Sequence, residues 1–353
     1  MSLARILKVD PQNPQRELIR EAGLAIRRGE LVIIPTETVY GIAANMLNKE
    51  AIKKLSAIKQ RPPEKPFSLH IERKSRIEDF AKDIPSSAYK LIEKFWPGPL
   101  TLVLKAKDDC KIGLRMPDNE VALKIISEAG VPVVCPSANI SGRPAPVTFS
   151  EAIKDLRDLV DLAVDSGDTR LKKESTVVDL TVEPPMVMRE AAIKNNEIEL
   201  TVGKKTVLFI CTGNSCRSVM AEWLLKKKLQ EQGRFDIEVI SAGILPLAGL
   251  GATESTLKLL QKEGIDASSH RSRHLTAWMI KKSDIILVME KAHEDKVLAL
   301  YPEVKNRLFL LKEFAKIKEN NLNLDDPMGK GMEFYEQTFA VIKEAIERII
   351  GIL

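Results

Sequence analysis

The chain has 353 residues, with 54 basic against 49 acidic side chains and 44% apolar residues. That composition excludes a disordered or fibrous chain, and the length favours two domains. No apolar run approaches a membrane span and no hydrophobic stretch of secretory length opens the chain, so a cytoplasmic protein without membrane association is expected. Cys110, Cys135, Cys211 and Cys216 are too few and too unevenly spaced for a disulfide framework. The four histidines form no metal-type spacing with them, so no metal site is expected. Residues 51–100 hold 11 basic and 6 acidic side chains, a candidate polyanion-facing surface, although most of those lysines suit a solvated helix face.

Helix-like and strand-like segments alternate throughout, which predicts an α/β architecture. Leu18, Ile19, Ala22, Ala25 and Ile26 share one face of a helix over 16–28, with Gly29 as its cap. A buried strand LVIIP follows. In PTETVYGIAA (35–44), Thr36 and Thr38 offer hydroxyls and Gly41 allows close backbone approach. A helix is expected over 49–59. KQRPPEKP then gathers Lys59, Arg61 and Lys65 around prolines, a cluster that suits a triphosphate or, more plainly, an exposed basic loop. Strands are expected at FSLHI (67–71), LTLVLK (100–105), PVVC (132–135) and STVVDL (175–180), and helices at 86–95, 118–129 and 148–157. GLRMPD (113–118) sets Arg115 in a turn, where it can pair with a carboxylate. CPSANISGRP (135–144) ends a strand in Ser137 and Asn139, small polar groups that a nucleotide can approach, and Ser175, Thr176 and Arg189 follow. Residues 193–205 are short of large apolar groups and read as a boundary, giving domains 1–203 and 204–353.

The second half opens with strand TVLFI, a turn beginning at Cys211, and a helix through Ala221–Leu229. Strands are expected near 236–241 and 284–289. A last helix carries Tyr335, Phe339, Ile342, Ile346 and Ile349 on one face. In CTGNSCRS, a turn wrapping back at a helix N-terminus aims backbone N–H groups from Thr212 to Ser218 into one concavity, a nest for a tetrahedral oxyanion. Arg217 can hold two phosphate oxygens, and the same positive field favours the Cys211 thiolate. Gly213 is expected to take positive φ, Asn214 to brace the turn, and Ser218 to donate to the thiolate. Thiolate attack on phosphorus needs a proton donor for the leaving group. Asp325 and Asp326, ahead of Pro327, are the candidates, and spacing alone does not choose between them. The plain alternative is a small buried cysteine after an apolar strand. The Gly-Lys-Ser/Thr of a nucleotide P-loop is missing.

CTGNSCRSVMAE, SAGI (241–244), EGIDASSHRSRHLT (263–276), DIILVM (284–289), LLKEF (310–314) and DDP (325–327) together resemble the low-molecular-weight protein phosphatases, in order over 205–350. The resemblance implies a four-stranded parallel, doubly wound sheet. It implies Cys211 as nucleophile, Arg217 as phosphate ligand and Asp326 as general acid. It further implies a phosphoprotein substrate, and Cys216 as the second cysteine of a reversible protective disulfide. Tyrosine-specific members carry a bulky aliphatic residue where Ser215 stands and an aromatic one where Met328 stands. Phosphoarginine-specific members share the small hydroxyl, so phosphotyrosine is the first expectation and phosphoarginine the second. The arsenate reductases on this scaffold need further cysteines downstream, which are absent after Cys216.

PTETVYG, the spaced pairs Lys59/Arg61 and Ser137/Asn139, the histidine of FSLHI and STVVD resemble the YrdC-like threonylcarbamoyl-AMP synthases, over residues 5–203. That resemblance implies a twisted mixed sheet with an open concave site. There L-threonine and bicarbonate give a carbamate that attacks ATP, with magnesium as counter-ion, no tightly bound cofactor and no covalent intermediate. Thr38, His70, Arg115 and Ser175 would contact threonine. Lys59, Arg61, Lys65, Ser137, Asn139 and Arg189 would contact ATP. The product would modify tRNA through a separate threonylcarbamoyl transferase. Val147 and Ala191 depart from the family's usual hydroxyl residue and glycine. A carbamoyl-adenylating domain of the hydrogenase-maturation type would bring zinc-finger motifs, absent here. A non-catalytic RNA-binding module is the remaining alternative for this half, and a phosphoprotein-binding module for the other.

Overall fold

The computed structural model describes residues 3–62 and 66–353. The chain divides into two compact units, separating between Val202 and Gly203. The boundary segment is not a loop: a helix, Asn195–Gly203, runs through it. Buried Ile198 and Thr201, with Lys94 Nζ donating to Thr201 Oγ1 at 3.0 Å, fasten it to the first unit. A few buried contacts replace the apolar stripe whose absence suggested a boundary.

Among the described residues, the first unit is built on a ten-stranded mixed sheet. Its order is Arg5–Lys8, Leu162–Asp165, Val32–Ile34, Gly41–Asn45, Val133–Val134, Leu69–His70, Lys111–Arg115, Leu100–Lys105, Thr176–Asp179 and Met186–Arg189. Parallel pairs such as Leu100–Lys105 with Thr176–Asp179 are mixed with antiparallel ones such as Val32–Ile34 with Gly41–Asn45. Helices Arg16–Arg28 and Glu120–Ala129 cover one face. Ile19, Ala22, Ala25 and Ile26 meet Val121, Ala122, Ile125 and Ile126 over Val32, Ile34, Val133 and Val164. Each fully buried large aliphatic side chain there contributes about 1.5–3 kcal/mol. The helices approach closely because Gly23 has no side chain; a Cβ there would lie 2.6 Å from Glu128 Cβ. Gly29 closes the first helix at φ 95°.

Two short strands lie where the sequence suggested none. Gly41–Asn45 continues PTETVYG into the sheet centre, and Arg115 is the last residue of Lys111–Arg115, buried at 5% exposure. Tertiary burial explains both: the sheet accepts short polar-ended strands because neighbours on each side satisfy their backbone.

The second unit carries a four-stranded, all-parallel sheet among its described residues, ordered Ile237–Gly243, Lys205–Cys211, Ile285–Val288, Leu308–Leu310. The central strand alternates cleanly. Val207, Phe209 and Cys211 face helices Arg217–Glu231 and Met332–Ile349, while Leu208 and Ile210 face Ile280, Val297 and Val304. The next strand in sequence lies on one side of Lys205–Cys211 and the third on the other. The loop after Cys211 therefore opens at the topological switch point, where α/β sheets leave a crevice. No helix among the described residues is long and apolar enough to cross a membrane.

Candidate active sites

In the first unit a cavity of about 200 Å³ opens beside the sheet centre, lined by Lys59, Arg61, His70, Arg115, Ser137, Ser175 and Arg189, with Thr36, Tyr40, Thr101 and Glu174. Strand ends deliver most of these groups: His70, Arg115 and Arg189 each end a strand, and Ser175 immediately precedes one. Lys59 Nζ donates to Ser137 O at 2.9 Å, Ser137 Oγ at 3.3 Å, Asn139 O at 2.9 Å and Asn139 Oδ1 at 2.8 Å. Burial pulls its ammonium down to about 8, opposed by Glu174 and aided by Arg61. Arg61 donates to Pro66 O at 2.8 Å and stacks over Phe67, its centre 5.1 Å from the ring centroid. Arg189 donates to Ser175 O at 3.0 Å and to Glu174 at 2.6 Å.

On the same cavity wall, Arg115 Nη2 donates to Glu37 Oε1 at 2.7 Å and Thr38 Oγ1 at 2.8 Å, with both carboxylate and guanidinium buried. Thr38 and Asn139 are absent from the cavity wall; they brace Arg115 and Lys59 from behind. Ser175 Oγ lies 2.9 Å from Thr101 Oγ1. Burial, followed by the Arg115 charge, lowers the His70 imidazole to about 3, so a neutral ring lines the cavity. Lys65 lies outside the described residues.

In the second unit Cys211 is buried with its Sγ 3.0 Å from Ser218 Oγ, and it accepts a hydrogen bond from the Asn214 amide at 3.3 Å. The positive φ of the loop falls on Asn214, at 54°, and not on Gly213. The αL conformation costs Asn less than most residues, and its side chain is fully used. Asn214 Nδ2 donates to Ser218 Oγ at 2.9 Å and to Ser241 Oγ at 2.7 Å, while Oδ1 accepts from the Arg273 amide at 2.9 Å. The glycine that the loop does require is Gly243, where a Cβ would lie 2.9 Å from both Thr212 O and Gly213 C. Arg217, 1% exposed, donates through Nη2 to Thr212 Oγ1 at 3.1 Å and Asp326 Oδ2 at 2.5 Å, and through Nη1 to Leu324 O at 2.7 Å and to Glu290. Asp326, not Asp325, thus reaches the loop. Cys216 Sγ lies 3.5 Å from both Tyr335 Oη and Thr253 Oγ1, and both loop thiols are free. Ser215 is partly exposed and Met328 lies 52% exposed.

Residues 24–191 match the family model of the Sua5, YciO and YrdC proteins, described as telomere recombination, and residues 206–352 match that of the low molecular weight phosphotyrosine protein phosphatases. A putative threonylcarbamoyl-AMP synthase of Methanocaldococcus jannaschii is 34% identical over 198 residues, covering 54% of this chain and 94% of the relative. The chain belongs to the Sua5/YciO/YrdC family, with a low molecular weight phosphatase domain following. The threonylcarbamoyl-AMP synthase of Pyrococcus abyssi is 41% identical over 195 residues, 53% of this Sua5-like chain, but the match spans only 57% of that relative's length. A crystal structure of P. abyssi Sua5 complexed with L-threonine shares the fold at a TM-score of 0.54 and 24% identity, covering 97% of this chain and 98% of that one.

The sequence reading of this Sua5-like chain missed Glu37, Thr101 and Glu174 in the first unit and Ser241, Gly243, Glu290 and His293 in the second. Glu37 and Glu174 sit next to chosen residues, Thr38 and Ser175, yet only the fold turns them toward Arg115 and Arg189. Glu290 was legible in principle, because it follows the strand Ile285–Val288 at the carboxyl edge of a parallel sheet.

Proposed function

We propose that the chain is a bifunctional enzyme, a threonylcarbamoyl-AMP synthase joined to a phosphoprotein phosphatase. For the first unit the carrying observation is the gathering of Arg115, Lys59, Arg61 and Arg189 around one cavity. Arg115 would hold the threonine carboxylate, and the other three would hold the ATP phosphates. Ser137 and Asn139 fix the lysine, and Ser175 lies beside the bound amino acid. The threonine amine and bicarbonate condense to a carbamate with loss of water. A carbamate oxygen then attacks the α-phosphorus of ATP and pyrophosphate departs. Catalysis is positioning and charge neutralisation, since no covalent enzyme intermediate is required. Magnesium would enter with the nucleotide, as the counter-ion of its phosphates. The P. abyssi protein crystallised with L-threonine supports the amino-acid substrate. Transfer to tRNA would fall to a separate threonylcarbamoyl transferase. Pyrophosphate release by the full chain, with threonine or bicarbonate omitted in turn, tests this reading. Release independent of threonine would reject it.

For the second unit the carrying observation is Cys211 beneath the Asn214 amide and Ser218 hydroxyl, with Arg217 and Asp326 at the same loop. The Cys211 thiolate would attack phosphorus, Asp326 would protonate the leaving group, and a phosphocysteine would form. Water, deprotonated by Asp326, would then release phosphate. Phosphotyrosine is the first substrate. Ser215 supports phosphoarginine as the second reading, because its small hydroxyl leaves no aliphatic wall to grip a phenyl ring. Comparing kcat/KM on phosphotyrosyl and phosphoarginyl peptides, for wild type and Ser215→Ile, decides between them. A wild-type preference for phosphoarginine that Ser215→Ile reverses would exchange the two.

A further inference from the structure

The two carboxylates on Arg217 occupy different edges of one guanidinium. Asp326 sits on Nη2, beside Thr212. Glu290 sits on Nη1, beside the Leu324 carbonyl. Among the described residues Nε is buried without a hydrogen-bond partner. A tetrahedral oxyanion bound bidentately by arginine takes the edge formed by Nε and Nη2. An incoming phosphate must therefore displace one of the two Nη2 partners, Asp326 or Thr212, and leaves Nη1 untouched.

Glu290 stands on a fixed platform. It is the residue before helix Lys291–Leu300 and has no side-chain hydrogen bond to that helix. The first amide of the helix is satisfied instead by Asn323, whose Oδ1 accepts from the Lys291 N–H at 2.8 Å. The Leu324 amide donates to Met289 O at 2.8 Å, so the segment carrying Leu324 and Asp326 is zipped to the segment carrying Glu290. With Asn323 serving the helix, the Glu290 carboxylate is released to reach across to Arg217. Three residues on, His293 Nε2 lies 3.0 Å from Thr212 Oγ1, which itself accepts from Arg217.

We propose that Glu290 is a positioning residue, which together with the Leu324 carbonyl fixes the Nη1 side of Arg217 so that its Nε–Nη2 edge faces the phosphate. The inference rests on the phosphatase reading of this loop. Two effects of Glu290 oppose one another: its charge repels a phosphate dianion, whereas its grip prevents the guanidinium from turning away. Positioning is the stronger, because Arg217 is buried and its fork binds only in one orientation.

The test measures hydrolysis of p-nitrophenyl phosphate and inhibition by orthovanadate in the full chain, for wild type, Glu290→Ala and Glu290→Gln. Glutamine keeps a carbonyl acceptor for Nη1 and removes the charge. Glu290→Ala is expected to raise the orthovanadate Ki about tenfold and lower kcat/KM by about 30-fold or more, with KM rising as well as kcat falling. Glu290→Gln is expected to remain within about threefold of wild type in both. An alanine variant whose orthovanadate Ki is unchanged or lower overturns the inference, as does a glutamine variant as impaired as alanine. A wild-type chain that hydrolyses no phosphate ester, or one whose turnover survives Cys211→Ala, rejects the phosphatase reading itself. That outcome is distinct from an active wild type indifferent to Glu290.

Discussion

Lys59 of the first unit and Arg217 of the second are restrained in opposite ways. In the first, Lys59 is held by neutral oxygens, two carbonyls, a hydroxyl and an amide, so its charge remains available to a polyanion. In the second, Arg217 is shared between Glu290 and Asp326, so its charge is offset before phosphate arrives. The difference follows the chemistry proposed for each. A nucleotide triphosphate must be gathered from solution by field and kept in place while two small molecules join. A phosphatase loop needs a fork aimed at one oxyanion, a nucleophile beneath it, and an acid for the leaving group. Arg115 and Arg189 depart from that contrast, because each is tied to a carboxylate, Glu37 and Glu174 respectively.

Substitution of Cys211 by Ser is the largest expected break between the two halves. It should lower phosphatase kcat by about 10⁴-fold or more, since the hydroxyl is a far weaker nucleophile than a thiolate, while pyrophosphate release stays at its wild-type rate. Loss of both activities together would show the halves to be coupled and end the comparison as drawn. Next come Lys59→Ala and Arg115→Ala. Each should lower the synthase kcat/KM by about 10²–10³-fold, with the lysine variant raising the KM for ATP and the arginine variant raising that for threonine. If both variants affected the same substrate, the division of the cavity into a nucleotide end and an amino-acid end would be wrong.

Acid stability separates the units more gently. Burial and Arg115 hold His70 at about 3, and burial and Arg217 hold His293 at about 4, against 6.5 when exposed. A depressed folded value means that the unfolded chain takes up the proton first. Stability is therefore full above pH 6.5 and declines as pH falls, toward 4 in the second unit and toward 3 in the first. The contribution of His293 is about 3 kcal/mol at most, and His293→Gln should flatten the decline in urea midpoint between pH 6.5 and 4 for the second unit alone. A second unit whose pH profile is untouched by His293→Gln would remove His293 from the account. The smallest effect is expected of Gly23→Ala. Its new methyl would press against Glu128 and the Ala129 amide, destabilising the first unit by about 2 kcal/mol, visible in its thermal midpoint, without touching the second.

Much of this was written locally. The helix over 16–28 came from one apolar stripe, and the central strand of the second unit from its alternation and the turn after Cys211. Cys211, Arg217 and Ser218 lie within eight residues, so spacing alone could bring them to one helix N-terminus. The cation cluster and the Ser-x-Asn segment were likewise visible as chemistry without an address. What no local signal carried was the sheet that sets Lys59 against Ser137 and Asn139 across 78 and 80 residues, or Arg217 against Asp326 across 109. Nor did composition reveal that Arg115 closes a strand, that Asn214 rather than Gly213 bears the positive φ, or that 195–203 is helical. The physical reason is the same in each case. Periodicity and turn chemistry act over a few residues, whereas a buried charge finds its orientation only when a distant segment supplies the partner that makes burial tolerable.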